Sequence, residues 1–306
     1  MAADETDSLL VVVFDTNPVW WGQKLLGENE LVLSQCINDI LAFANSHLMF
    51  SHKNSLAIIA AHTNRSYFLF PKQESPPKTT ISQVENGDDT STQAPSKGKY
   101  ELFCRMNDTV AEELHNMVLD SSQREVYTDS LVAGALSMAL CYIHRKEKEH
   151  GLRSGHSSRI LVVRGSEDNP SQYMNLMNVV FTAQKQDVLI DACILDNESG
   201  LLQQACDITG GIYLKIPQVS GLLQYLLWAY LPDADTRKML ALPPRVQVDY
   251  RAACFCHRNL IDIGYVCSVC LSIFCTFSPI CSTCQTTFKI LGPPKFMKKK
   301  TKKPNS

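Results

Sequence analysis

The stretch that decides the fold is a continuous apolar run at residues 9–14, Leu-Leu-Val-Val-Val-Phe, which ends at Asp15. An uninterrupted run of this kind, rich in β-branched residues, is typical of a strand that is buried on both faces. Such strands occur in mostly parallel sheets that carry helices on both sides. We therefore expect residues 9–14 to form the first central strand of such a sheet.

Strand and helix patterns alternate along the chain from this run to residue 230. Apolar runs predict further strands at residues 56–61, 66–70, 159–163, 188–195 and 211–215. Apolar residues at near-helical spacing predict helices at residues 30–49, 107–119, 129–148, 171–184, 200–209 and 222–230. The alternation indicates an α/β fold over residues 1–231, with a doubly wound, mostly parallel sheet and helices on both faces.

Composition separates further segments from this domain. Residues 71–99 are rich in Ser, Thr, Pro, Gly, Asp and Gln with almost nothing apolar, which predicts a mobile surface insertion. Residues 232–247 contain three prolines and are predicted to be a linker. Residues 248–292 hold seven of the twelve cysteines, and residues 293–306 form a basic tail.

The overall composition excludes several classes of protein. Of the 306 residues, 45% are hydrophobic and 20% are charged, as in a chain that buries a core. The start lacks the basic and apolar regions of a secretory signal, and the longest apolar run, at 219–231, is too short to cross a bilayer. We expect an intracellular protein without a membrane span.

Charge is divided unevenly along the chain. From Val248 onward there are nine Lys/Arg and two Asp/Glu, so this end carries +7 while the remainder carries −9. The basic end suits nucleic acid or an acidic protein surface, and the acidic body does not suit nucleic acid.

The clustered cysteines predict a zinc site. Cys267-Ser-Val-Cys270 and Cys281-Ser-Thr-Cys284 are two C-x2-C knuckles separated by ten residues. Two such knuckles can direct four thiolates to one tetrahedral Zn2+. A zinc ion held by four thiolates has no open position, so we expect a structural role in a small module that needs the metal to fold.

A second zinc site is predicted to be incomplete. The remaining candidates are Cys254, Cys256, His257 and Cys275, but Cys256 and His257 are adjacent and Cys275 has no partner knuckle. The best trio is Cys254, His257 and Cys275, with Ser278 standing where a fourth thiol would complete a knuckle. We expect one zinc ion and not a second.

The loop after the first strand, Asp15-Thr16-Asn17-Pro18-Val19, resembles the Asp-x-Ser-x-Ser opening of a von Willebrand factor A domain. In that family the loop, with a Thr and an Asp from later loops, holds Mg2+ through oxygen ligands. Here Asn17 and Val19 replace both serines, Thr128 is the candidate middle ligand, and Arg164-Gly165 stands where the family places its Asp. We read Asp15, Asn17 and Thr128 as a degenerate site that does not bind Mg2+, with Asp15 as a cap or loop former.

No catalytic motif stands out. The chain has no glycine-rich phosphate loop, no G-x-S-x-G elbow and no His-x-x-x-His pair, so we predict that it is not an enzyme. Trp20 and Trp21 leave two interpretations open: aromatic residues that face a partner, or core residues.

A longer resemblance covers nearly the whole chain. The segments Tyr250–Ile261, Gly264–Cys275, Asp191–Asp196 and Leu202–Gly211, together with the degenerate von Willebrand A loop, look like the family of small von Willebrand A subunits of the general transcription and repair factor TFIIH. The resemblance implies a non-catalytic, nuclear core subunit that pairs with the larger von Willebrand A and RING-like subunit. It also implies support of the helicases that open DNA in RNA polymerase II initiation and nucleotide excision repair.

Two other functions stay open at this point. A RING-type ubiquitin ligase would need two cross-braced zinc ions and an exposed groove for its E2 partner. Direct nucleic-acid binding could use the zinc module and the Lys-rich tail, which can equally be a nuclear targeting signal or a solvated terminus.

Overall fold

The computed structural model describes residues 8–26, 33–72, 100–122, 127–150, 157–169, 172–243, 247–257 and 259–288. It divides into two compact units, Met1–Asp249 and Tyr250–Ser306. We call the second unit the C-terminal module. The predicted insertion, from residue 73 onward, and the predicted basic tail lie outside the described residues.

The first unit is built on a six-stranded sheet. In chain order its strands are β1 (Ser8–Asp15), β2 (Ser55–Ala61), β3 (Ser66–Phe70), β4 (Ser157–Arg164), β5 (Leu189–Ile194) and β6 (Tyr213–Lys215). The spatial order is β3-β2-β1-β4-β5-β6, and only the edge strand β3 runs antiparallel to its neighbour. The predicted doubly wound, mostly parallel sheet is confirmed.

Strand β1 lies at the centre of the sheet, and all eight of its residues are buried. Successive side chains of a strand point to opposite faces. Accordingly Leu10, Val12 and Phe14 pack in one core, and Leu9, Val11 and Val13 pack in the other. The uninterrupted apolar run is therefore explained by helices on both faces.

The helices form one layer on each face. Their bounds are α1 (Pro18–Leu25), α2 (Leu33–Phe50), α3 (Glu101–Ser122), α4 (Val132–His150), α5 (Tyr173–Lys185), α6 (Gly200–Thr209), α7 (Leu222–Tyr225) with a π-helical continuation (Leu226–Tyr230), and α8 (Ala234–Arg237). Helices α4, α5 and α6 cover one face, while α1, α2, α3 and α7 cover the other. No helix in the described ranges combines the length and the apolar character that a bilayer crossing requires.

Helix α1 was not predicted from the sequence. The side chain of Asn17 accepts hydrogen bonds from the backbone N–H groups of Val19 and Trp20, and Pro18 occupies the first turn. These are the usual signals of a helix start. The helix buries Trp20 and Trp21 in the core, so the interpretation of the pair as partner-facing residues is wrong and the core interpretation holds.

Part of the predicted linker is packed onto the first unit. Arg237 of α8 is buried and makes two hydrogen bonds of 2.9 and 2.7 Å with the carboxylate of Asp191 on β5. Because this pair fixes α8 against the sheet, the first unit continues beyond residue 231, and the boundary between units falls after Asp249.

The C-terminal module contains four very short strands: β7 (Ala252–Ala253), β8 (Leu260–Ile261), β9 (Tyr265–Val266) and β10 (Ile273–Phe274). They pair as two antiparallel hairpins. The fully buried residues of its small cluster are Cys267, Phe274 and Cys281. A core of this size supplies little stability by itself, so the module needs a further constraint such as a metal ion.

Candidate metal centre

Two knuckles in the C-terminal module share one backbone pattern. In the first, the N–H of Cys267 donates to the carbonyl of Ser272, and the N–H of Leu271 donates to the carbonyl of Cys267. In the second, Cys281 and Gln285 make the equivalent bonds. Leu271 and Gln285 both have a φ of 60°, which lets the chain turn tightly behind each pair of thiols.

The knuckles bring together the four thiols of the predicted zinc site. The sulfurs of Cys267 and Cys284 are 3.7 Å apart, and those of Cys270 and Cys281 are 3.6 Å apart. A tetrahedral Zn2+ with zinc–sulfur bonds of about 2.3 Å requires sulfurs separated by about 3.8 Å. The four thiols therefore fit a zinc ion.

A hydroxyl group supports one thiol in each knuckle. Ser272 Oγ lies 3.1 Å from Cys270 Sγ, and Thr286 Oγ1 lies 3.1 Å from Cys284 Sγ. The Ser272 hydroxyl, with the Ser272 N–H, lowers the pKa of Cys270 to about 6, and Thr286 lowers the pKa of Cys284 in the same way. These contacts favour the thiolate form that binds metal.

A second cluster lies in the same module and consists of Cys254, Cys256, His257 and Cys275. The ligand atoms within each of the two clusters lie within 4.8 Å of one another. His257 Nδ1 and Cys256 Sγ are both 3.2 Å from Cys275 Sγ. Burial raises the pKa of Cys254, but the N–H groups of His257 and Asn259 and its neighbouring thiols outweigh this and lower it to about 6.

This cluster contains one more potential donor than the trio that the sequence predicted for a second site. Cys256, which the sequence analysis set aside because it adjoins His257, is the fourth residue whose ligand atom lies within 4.8 Å of the others. Ser278 takes no part, since its hydroxyl donates to the carbonyl of Ile280. The sequence carried a signal for this site, because Cys254 and His257 have the spacing of a knuckle. The backbone agrees: the N–H of Cys254 donates to the carbonyl of Asn259, five residues on, as Cys267 does to Ser272 and Cys281 to Thr286.

The two clusters are interleaved along the chain. The three residues at 254–257 lie with Cys275, while the two cysteines at 267 and 270, which stand between them in sequence, lie with those at 281 and 284. This is the cross-brace order of a RING module. Two metal ions bound in this order would tie each half of the module to the other.

The surface of the module between Ile263 and Phe288 is apolar and free of charge. From Ile263 to Phe288 the chain contains no Asp, Glu, Lys or Arg. Eight large apolar side chains in the segment from Leu260 to Ile280 are exposed: Leu260, Ile263, Tyr265, Val266, Val269, Leu271, Phe277 and Ile280. An exposed apolar surface of this density is typical of a protein-binding site.

The carboxylate of Asp15 is enclosed by hydrogen-bond donors at the carboxyl end of β1. It accepts hydrogen bonds from the N–H of Asn17 (3.2 Å), from Ser130 Oγ (2.7 Å), and from both the N–H (3.0 Å) and the hydroxyl of Ser166. Asp15, Ser130 and Ser166 are all buried. The carboxylate thereby connects the loops that contain Asn17, Ser130 and Ser166, and all of these hydrogen-bond donors belong to the protein.

These residues do not fit Mg2+. The cluster offers a single carboxylate, and its two serine hydroxyls donate to that carboxylate. The guanidinium of Arg164, with Nε 3.4 Å from Ser166 Oγ, adds positive charge beside it. Mg2+ requires near-octahedral oxygen ligands, which this set does not supply.

Two of the three predicted residues have other roles. Asn17 caps α1 and donates through Nδ2 to the carbonyl of Thr128 at 2.7 Å, while Thr128 itself is exposed. The hydroxyl beside Asp15 belongs to Ser130, so Thr128 was the wrong choice for the middle loop. Sequence reasoning also missed Ser166; its only signal was a hydroxyl residue just after the end of a strand.

The strand order, with Asp15 at the carboxyl end of its central strand, defines a von Willebrand A-like α/β domain, followed by a cysteine-rich module with two four-donor clusters suited to zinc. The family model described as transcription factor Tfb4 matches residues 7–285. The chain belongs to the Tfb4 family.

Individual relatives are similar over nearly the whole chain. The chain is 38% identical over 288 residues to the general transcription and DNA repair factor IIH subunit tfb4 of Schizosaccharomyces pombe, covering 94% of this chain and 91% of that protein. It is 37% identical over 289 residues to the TFB4 subunit of the same factor in Arabidopsis thaliana, covering 92% and 89%. The crystal structure of the TFIIH p34 N-terminal domain matches at 30% identity with a TM-score of 0.59, covering 74% of this chain and 99% of that chain.

Proposed function

We propose that this protein is a non-catalytic structural subunit of the TFIIH core, which acts in the nucleus in RNA polymerase II initiation and nucleotide excision repair. The names of its relatives, all of them subunits of the general transcription and DNA repair factor, support this assignment. In this role the chain docks the larger von Willebrand A and RING-like subunit and supports the helicase subunits.

The C-terminal module carries the docking, and its exposed apolar surface is the observation on which the proposal rests. Binding of a partner would remove eight exposed apolar side chains from water without desolvating a charge between Ile263 and Phe288. A partner surface of similar apolar character would cover these side chains.

Both clusters hold zinc in this proposal. Cys267, Cys270, Cys281 and Cys284 supply four thiolates, and Cys254, Cys256, His257 and Cys275 supply three thiolates and an imidazole. All four positions of each ion are filled by protein, so the metal contributes folding free energy and no catalysis.

Ile263 and Phe277 offer a direct test of the docking surface. Both are exposed and neither is a metal donor. The full chain with Ile263→Asp and Phe277→Asp should lose at least about tenfold in affinity for the larger subunit, because a charge would then be buried in the interface. Binding is measured after co-expression, with zinc content determined in parallel.

Met239→Asp in the first unit is the matched control, since Met239 is exposed too. It should leave the affinity unchanged. Equal binding by the double variant and the control, at full zinc content, would refute docking through this surface.

A RING-type ubiquitin ligase is the second candidate, because the interleaved clusters have its cross-brace order. Discharge of ubiquitin from a panel of E2 enzymes tests it, and we expect none above the background without the chain.

Direct nucleic-acid binding by the folded module is disfavoured by the absence of Lys and Arg from Ile263 to Phe288. Binding by the Lys-rich tail at 293–306 would show a steep fall with added salt.

A further inference from the structure

The two donor clusters of the C-terminal module differ in their access to solvent. In the four-thiol cluster at residues 267–284, two thiols are buried and the other two are partly exposed. In the second cluster, Cys256 and His257 are exposed. Cys275 is partly exposed, and Cys254 is the buried member of the set. A reagent dissolved in water therefore reaches the second cluster first.

The backbone places two sulfurs of the second cluster side by side. The N–H of Phe255 donates to the carbonyl of Ile273 at 2.7 Å, which brings the chain at Cys256 against the chain at Cys275. The Sγ atoms of Cys256 and Cys275 are 3.2 Å apart, although the two residues are 19 positions apart in sequence. A disulfide has an S–S distance of about 2.05 Å, so a small movement of the two side chains would form one.

We propose that Cys256 and Cys275 form a peroxide-sensitive modification site, at which oxidation to a disulfide releases zinc from the second cluster alone. This site rests on the proposed function, since it presumes that both clusters hold zinc. A solvent-accessible thiolate with a second thiol beside it is the arrangement that makes cysteines sensitive to oxidation. The oxidant is hydrogen peroxide, which is small enough to reach a thiol at the surface of a folded module.

The reaction transfers two electrons from the two thiolates to hydrogen peroxide. The Cys256 thiolate attacks one peroxide oxygen, the O–O bond breaks, and the departing hydroxide takes up a proton to leave as water. Cys256 is then a sulfenic acid. The Cys275 thiolate attacks the Cys256 sulfur, the S–O bond breaks, and the second hydroxide is protonated to water. Cys254 and His257 remain as two donors of the original four, too few for a closed site, and Zn2+ leaves without a change in its oxidation state.

The four-thiol cluster is protected from the same reaction. Cys267 is 1% exposed and Cys281 is 0% exposed, so peroxide cannot approach their sulfurs. Cys270 and Cys284 each lie 3.1 Å from a hydroxyl oxygen, and the contact that lowers the pKa of each thiol also makes its sulfur a weaker nucleophile. Oxidation of the second cluster would therefore leave the first cluster loaded.

The test treats the full chain, purified without oxygen, with hydrogen peroxide while a chromogenic chelator reports released zinc. One of the two zinc ions should be released at least about tenfold faster than the other. Peptide mass spectrometry without reduction should then identify a disulfide between Cys256 and Cys275. Treatment with dithiothreitol, which is oxidised in turn, should restore both thiols and the binding of one zinc ion.

Cys256→His keeps four donors in the second cluster but removes its exposed thiol, so release of zinc by peroxide should slow by about tenfold or more. Cys104→Ser is the control, because it removes an exposed thiol from the first unit and should leave the rate unchanged. The zinc content of each variant is determined before treatment. Labelling of the wild-type sulfenic acid with dimedone, which should fall on Cys256, gives a readout that needs no variant.

Release of both zinc ions at the same rate would overturn the proposal, as would a disulfide within the four-thiol cluster. A wild-type rate in zinc-loaded Cys256→His would overturn it too, and so would dimedone on a cysteine other than Cys256. An untreated wild-type chain that carries fewer than two zinc ions would instead refute the assignment of zinc to both clusters in the proposed function.

Discussion

Position 165 must be a glycine because the ring of Trp20 lies directly against it. A Cβ atom at this position would lie 2.2 Å from Cη2 of Trp20 and 2.5 Å from two further ring atoms. Trp20 is held in turn by the indole ring of Trp21, at a centroid distance of 4.8 Å. The loop after β4 can therefore pass Trp20 only without a side chain.

Gly165→Ala should destabilise the first unit by about 1–3 kcal/mol, since Trp20 must shift within a packed core. Gly22→Ala is the control: Gly22 lies in α1 with no atom within 4 Å of its added Cβ, so this change should stabilise the unit by up to about 1 kcal/mol. Urea denaturation followed by tryptophan fluorescence measures both, because all three tryptophans lie in the first unit. Equal effects of the two substitutions would contradict the account.

His47 makes the stability of the first unit depend on pH. It is 2% exposed, and burial, followed by the charge of Arg159, lowers its pKa from 6.5 to about 4. Between pH 4 and pH 6.5, His47 binds a proton in the unfolded chain but not in the folded chain. The free energy of unfolding should therefore fall by up to about 3 kcal/mol as the pH decreases from 6.5 to 4.

His47→Gln should remove this part of the pH dependence, even if it lowers stability at neutral pH. The difference in slope from the wild type, measured by denaturation between pH 4 and pH 6.5, isolates the contribution of His47 from that of every other titrating group. His144→Gln, at an exposed position on α4, should keep the wild-type slope. A wild-type slope in His47→Gln would show that another group is responsible.

At the residue scale, the sequence predicted where Asp15 lies in the fold better than which residues contact it. The apolar run at residues 9–14 is a local pattern, so it was enough to place Asp15 at the carboxyl end of a buried strand. Ser130 and Ser166 could not be assigned to it, since they are 115 and 151 residues away from Asp15 and meet it only when three loops converge. The choice between Thr128 and Ser130 depends on the path of the chain into α4.

At the scale of elements, α8 is held by a buried network. Arg237 pairs with Asp191, and Arg159 donates to the carbonyls of Tyr230, Leu231 and Pro232. These bonds satisfy carbonyl groups at the end of the π-helical segment, and those of Tyr230 and Pro232 also accept from Arg237. The segment after residue 231 is thereby clamped to the sheet.

Arg237→Met should cost about 3–5 kcal/mol, because it leaves Asp191 buried without its counter-charge. It should also expose the segment 232–243 to proteolysis. Lys238→Met is the control, since Lys238 pairs with Asp235 at the surface and its loss should leave the cleavage rate unchanged. Denaturant titration and limited proteolysis of the full chain measure the two effects; wild-type resistance of Arg237→Met would refute the clamp.

Each knuckle has a hydroxyl group in contact with one of its thiols. Ser272→Ala removes the contact to Cys270 Sγ and should accelerate zinc release, with a loss of affinity of about 10- to 100-fold. Transfer of zinc to a chromogenic chelator measures this. Ser268→Ala, at an exposed position in the same knuckle, should release zinc at the wild-type rate, and a similar rate in Ser272→Ala would contradict a supporting role.

Elements with many periodic apolar residues could be predicted from the sequence, and short ones could not. The pattern located all six strands of the large sheet and most of the long helices to within about three residues, because burial on one or both faces imposes a period. Helix α3 is the exception, since it begins at Glu101 and the prediction began at residue 107. Helices α1 and α8, of eight and four residues, are too short to show one. Of the second donor cluster, the sequence analysis named Cys254, His257 and Cys275 but not Cys256, because Cys256 belongs to no C-x2-C knuckle.

The whole molecule combines two units of different character. The first unit encloses two cores around a central sheet, and its Asp15 cluster holds three loops together by hydrogen bonds. The C-terminal module has a minimal core, two donor clusters and, between Ile263 and Phe288, an uncharged apolar surface. This combination is the physical basis on which we propose a scaffold role.

Native mass spectrometry of the full chain, co-expressed and purified with the larger von Willebrand A and RING-like subunit, tests this account most directly. It reports the partner and the bound metal in one spectrum. The account predicts a one-to-one complex in which this chain contributes two zinc ions, one for each donor cluster. A chain that is recovered without its partner, or a complex in which the C-terminal module holds no zinc, would contradict it.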